Sequence, residues 1–158
     1  MNASTFLPAL VVLHLTGLTI MAGTTIIDFT IFKIFWKYFD EDLAKSKGVL
    51  AGTSGSSRLI GIGAALLVTT GIGMMALTHG VFGEQLWFRI KIGIVLILML
   101  NGILFGRRQG EKLRTIVKKN GAYLTEQINQ IKTNLNIFFA IQLALFFSIV
   151  FLSVFKFN

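Results

Sequence analysis

Four stretches of the chain are apolar almost without interruption: Phe6 to Ile27, Leu59 to Leu77, Leu86 to Phe105 and Ile137 to Phe155. About 20 residues at 1.5 Å each cross a hydrocarbon core roughly 30 Å thick, so every one of these runs is long enough to span a bilayer. A backbone in lipid must satisfy its own N–H and C=O groups, which predicts a helix for each. The alternating segments of ~10 residues that a membrane β-barrel needs are absent.

Two of the intervening segments keep a helical period as well. In "DFTIFKIFWKYFDEDLAKSK", Ile31, Ile34, Phe35 and Tyr38 recur at helical spacing with charges between them, up to the turn signal "GVLAGTSGSS". In "YLTEQINQIKTNLN", Ile128, Ile131 and Leu135 fall at i, i+3 and i+7 and lead directly into the last span. The predicted fold class is all-α: an integral membrane four-helix bundle forming one domain over residues 1–158, with helices 1 and 4 extended beyond the bilayer. No internal repeat and no separate soluble domain is apparent.

Composition agrees, with 54% apolar residues and a mean hydropathy of +0.74. The flank "MNASTF" has no basic residue and the first apolar run exceeds the length of a signal-peptide core, so it is expected to stay in the mature protein. Charge adds orientation. Lys33, Lys37, Lys45, Lys47 and Arg58 lie between spans 1 and 2, and Arg107, Arg108, Lys112, Arg114, Lys118, Lys119 and Lys132 lie between spans 3 and 4, together 12 of the 15 basic residues. The link "THGVFGEQ" has none. The positive-inside rule then predicts an N-out/C-out protein of the cell inner (cytoplasmic) membrane, with helices 1 and 4 extended into the cytoplasm. The net charge of +8 is thereby assigned to topology and to anionic inner-leaflet lipids, at ~1 kcal/mol per juxtamembrane basic residue, and not to nucleic acid. With no cysteine, disulfides, cysteine-ligated zinc and iron–sulfur clusters are excluded, and no motif for nucleotide, phosphate or metal-ion binding is present.

The ionisable residues inside the spans carry the candidate chemistry. If hydrocarbon begins near Phe6, His14 lies about 12 Å deep from the outer surface. His79 closes span 2 on that side, and Arg89 and Lys91 sit in the first two turns of span 3. An arginine or lysine at a helix centre costs at least ~2.5 kcal/mol, so such groups normally face the bundle interior and mark function. Arg89 and Lys91 are near enough to the surface to snorkel, and His79 reads as an interfacial residue. His14 is too short to snorkel; it must either hydrogen-bond across helices or serve as a ligand. Gly17, Met21, Thr25 and Asp28 follow it on one helical stripe, small and soft as a helix interface or cofactor groove would be. Asp28 is expected to pair with Arg58 or Arg107. Gly61, Ala65, Thr69 and Gly73 form a small-residue strip for close helix approach, and Asn101 and Gln142 read as interhelical hydrogen-bonders.

"LHLTGLTIMAG", with its histidine early in the first span and a glycine nine residues on, resembles the opening of the four-helix HemJ and CopD-like membrane proteins. "LWFRIKIGIVLILMLNG", with Trp87 four residues before Lys91, is similar to the third helix of the HemJ group, and "SSRLIGIGAALLVTTG" loosely to the second. The resemblance implies a redox protein of the protoporphyrinogen-oxidase type with a b-type haem (haem b). His14 would be its ligand, hence the metal site, and His14 and Lys91 the essential pair. Two positions depart from the pattern: no tryptophan follows His14 closely, and "LNG" at Asn101 replaces a tyrosine–histidine pair. These losses bear on the implied oxidation more than on the fold.

Chemistry ranks the readings independently of the name. A neutral imidazole is a common axial ligand for haem iron, and Lys91 and Arg89 suit the two negative propionates of a porphyrin, with Gly17 and Met21 leaving room for a flat ring. The expected partners are the bilayer, anionic lipid and a porphyrin, with homo-oligomer formation left open. The competing class is non-enzymatic: a small membrane transporter, channel subunit or assembly partner, for which the glycine-rich second span and the basic helices speak.

Overall fold

In the computed structural model, which describes residues 3–39, 41–118 and 125–155, these residues are helical nearly throughout. Helix α1 (Ala3–Phe39) leads to a short α2 (Leu43–Ala51) and to α3 (Ser56–Leu77). A 3₁₀ turn (Val81–Glu84) precedes α4 (Leu86–Asn101), which passes through a π-helical turn (Gly102–Gly106) into α5 (Arg107–Lys118). The last helix is α6 (Thr125–Val154). Four helical stretches, built on α1, α3, α4 and α6, are long and apolar enough to cross a membrane. Their outward faces expose Val12, Ile27, Ile72, Ile103 and Phe147, an apolar surface suited to lipid and not to water. The chain is thus a multi-pass membrane protein.

The long helices continue past the apolar runs, as the periodicity predicts. Helix α1 runs 12 residues beyond Ile27 and α6 begins 12 residues before Ile137. The first basic segment is not one continuous helix, however. Asp42 is an N-cap whose carboxylate accepts from the Lys45 backbone N–H at 2.9 Å, so α2 starts anew there.

The extensions are held by a core of their own. Phe35 and Trp36 of α1, Leu50 of α2, Leu113, Ile116 and Val117 of α5, and Ile131, Leu135 and Phe139 of α6 are buried together. Helix α5 buries its 113/116/117 stripe and turns arginines and lysines outward, the pattern of a helix lying on a core beside water. A second cluster within the apolar runs joins Met21, Leu98, Phe146 and Ile149, with Leu67 and Ile94 packed on it. Between the two clusters Asn101 Nδ2 donates to Gln142 Oε1 at 2.8 Å, the interhelical bond expected of that pair. Just past it, Gly106 lies so close to α6 that a Cβ there would come within 2.6 Å of the Phe138 ring.

Helices α1 and α3 approach each other backbone to backbone. A Cβ on Gly63 would lie 2.9 Å from the Gly17 carbonyl oxygen, and one on Gly17 would lie 3.0 Å from the Gly63 carbonyl oxygen. Of the strip expected to serve this purpose, only Gly73 meets α1, against Leu10. Gly61 has open space where its Cβ would be, and Ala65 and Thr69 are exposed. The line that meets α1 runs through Gly63, Leu66 and Thr70 to that same Gly73.

Candidate functional site

The Gly17–Gly63 approach brings His14 of α1 against Thr70 of α3, with Nδ1 and Oγ1 2.8 Å apart. Thr70 is buried, and its hydroxyl donates to the Leu66 carbonyl at 2.5 Å. A hydroxyl has one proton, and that proton is already committed, so Nδ1–H of His14 must be the donor to Oγ1. The neutral ring therefore keeps its lone pair on Nε2. This is the arrangement by which an outer-shell partner fixes the tautomer and orientation of a ligating histidine. The ring lies beside Gly71, whose missing side chain would sit 3.7 Å from the His14 Cε1.

Helix α4 supplies the second component. Trp87 and Leu98 are buried and Asn101 is bonded to α6, which fixes the inward stripe of this helix. Lys91 falls on that stripe, four residues after Trp87 and seven before Leu98, and is half-buried. His14 and Lys91, on different helices and 77 residues apart in sequence, both lie on faces turned toward other helices.

The other residues singled out by sequence lie elsewhere. Arg89 is exposed and donates from Nε to the Gly83 carbonyl at 3.0 Å, closing the 3₁₀ turn before α4. His79 is exposed in the turn after α3, in the left-handed region at φ 50°. Nine residues beyond Thr70, it is about 13 Å farther along the axis. Gly17 and Met21 leave no room for a flat ring, because α3 fills the space: Gly17 faces Gly63 and Leu66, and the Met21 backbone and Cβ close on Gly63.

Asp28 pairs with neither Arg58 nor Arg107. Ser56 Oγ donates to its carboxylate at 2.5 Å, and Arg114 of α5 is the cation whose charge reaches it. Arg114 itself donates to the Thr53 carbonyl at 3.2 Å, while Arg107 is bonded to Glu111 at 3.0 Å. Thr70 and Arg114 are the residues that sequence reasoning missed.

Among the described residues no three His, Cys, Asp or Glu side chains come together to hold a bare metal ion. One oriented imidazole nitrogen beside a cation suits a metal that arrives with four ligands of its own and with anionic substituents, which is the chemistry of a haem. No protein-family model, no curated protein and no solved structure matches the chain.

Proposed function

We propose that this protein binds a b-type haem or a related porphyrin in the outer half of its helix bundle and serves a redox role, as the resemblance to the HemJ and CopD-like proteins implies. The observation that carries the reading is the bond from His14 Nδ1 to Thr70, which leaves Nε2 as a neutral, oriented donor. His14 would hold the iron, with Thr70 holding His14 in place, and Lys91 would offer its charge to a propionate. When bound, the haem would supply one-electron redox chemistry. The residues of the chain contribute position: the close Gly17–Gly63 approach brings the imidazole against Thr70 of α3. Both termini are assigned to the outside of the cytoplasmic membrane, on the strength of the 12 basic residues in the two segments at the other end.

Visible absorption tests this reading. Protein expressed with ample haem precursor and purified in mild detergent should show a Soret band, and Lys91→Leu should retain less haem than Arg89→Leu. A colourless preparation would overturn the haem reading in favour of a non-enzymatic transport or assembly role.

A further inference from the structure

At the basic end of the bundle a groove of about 690 Å³ runs between α5 and α6. Arg108 and Lys112 line one wall at i and i+4, and Gln130 and Asn134 line the other. Glu111 also borders it, but its carboxylate is bonded to Arg107. The groove lining also includes Gln109, which is 9% exposed, and whose Oε1 is buried without a hydrogen-bond partner. Trp36 Nε1, the other such atom among the described residues, does not line the groove. A buried acceptor left unpaired costs its full desolvation, so a donor is called for where Gln109 faces.

Depth identifies the class of ligand. Arg108 is three residues past Phe105, the end of one apolar run, and Asn134 is three residues before Ile137, the start of the next. Each is therefore about 4.5 Å outside the hydrocarbon, within a headgroup layer roughly 5–7 Å thick. We propose that this groove is a binding site for the headgroup of an anionic glycerolipid that carries a free hydroxyl. Arg108 and Lys112 take the phosphodiester, and the hydroxyl donates to Gln109 Oε1. A choline headgroup offers no donor and no net negative charge. The site is independent of the haem reading, and it is more specific than a general attraction of basic residues to the membrane surface.

Native mass spectrometry of the delipidated protein tests it, with phosphatidylglycerol, phosphatidylmethanol and phosphatidylcholine as probes. Phosphatidylglycerol should be retained most strongly, then phosphatidylmethanol, an anionic phosphodiester without the hydroxyl. The exposed double variant Arg108→Gln/Lys112→Gln should bind phosphatidylglycerol about thirtyfold more weakly, the factor for two juxtamembrane cations. Arg58→Gln, the same kind of charge loss outside the groove, should change retention by much less. Gln109→Leu should bind the two anionic lipids equally, and its thermal midpoint shows that it folds. Equal retention of choline and glycerol lipids, or a double variant no weaker than Arg58→Gln, would overturn the site. An undiminished preference for phosphatidylglycerol in Gln109→Leu would overturn the role of the hydroxyl. Displacement by millimolar inorganic phosphate would make this a free-phosphate site instead.

Discussion

Thr70 accepts the Nδ1 hydrogen of His14 and gives its own to the Leu66 carbonyl, so the position of one proton on the imidazole is decided by a backbone oxygen on another helix. A threonine inside a helix commonly bonds back to the carbonyl four residues earlier, and Thr69 and Thr78 do so here. That habit leaves a lone pair of the Thr70 oxygen aimed at α1. Replacing Thr70 by valine keeps the shape and removes the acceptor. Thr70→Val should weaken haem affinity about 10- to 100-fold, the usual effect of losing an outer-shell partner, while Thr70→Ser should restore most of it. A haem titration monitored at the Soret band reads the difference. His14 was visible in the sequence because a histidine in lipid has few bland uses. Thr70 was not, because Thr69 and Thr70 are adjacent and nothing local says which of them faces α1.

Helix contacts explain that ambiguity at the next scale. A span that is apolar all round has no polar face to fix its rotation, so any of several small residues could define the packing line. In α3 the choice falls on Gly63 rather than Gly61, and on Leu66 and Thr70 rather than their neighbours Ala65 and Thr69, while Gly73 belongs to both lines. The two glycines make a clean comparison. Gly63→Ala places a methyl group 2.9 Å from the Gly17 carbonyl oxygen and must push α1 and α3 apart, for an expected loss of roughly 1–3 kcal/mol in stability. Gly61→Ala meets nothing and should be neutral or stabilising by up to about 1 kcal/mol. Thermal unfolding in one detergent checks both, and the Gly63 variant should also lose haem because its His14–Thr70 bond is stretched. The helices themselves were legible: length and hydropathy gave the spans, and the 3.6-residue period gave the extensions of α1 and α6. The Asp28 neighbourhood was not, since Arg114 lies 86 residues away on a helix whose packing only the assembled basic-end core determines.

Taken whole, the molecule has two halves of different character. One end holds a water-type core of Phe35, Leu113 and Leu135 surrounded by arginines and lysines. The other holds His14 and Lys91 among apolar helices. Orientation decides which compartment each half meets. A reporter active only outside the cytoplasm should work when fused after Asn158 and fail when inserted within residues 119–124. Equal behaviour at the two positions would contradict the four-span topology, and inverted behaviour would place His14 and Lys91 on the cytoplasmic side.

The role of His14 is tested most directly by titrating haem into the purified His14→Ala variant beside the parent protein. Alanine does not remove a spanning helix, so the variant should insert and show the same helical circular dichroism. The parent should develop a Soret band that saturates at one haem per chain. His14→Ala should show no saturable band, or one displaced in wavelength with far weaker affinity. Identical titration curves for the two proteins, in wavelength and in affinity, would contradict ligation by His14 and leave its bond to Thr70 as a helix-pairing contact alone.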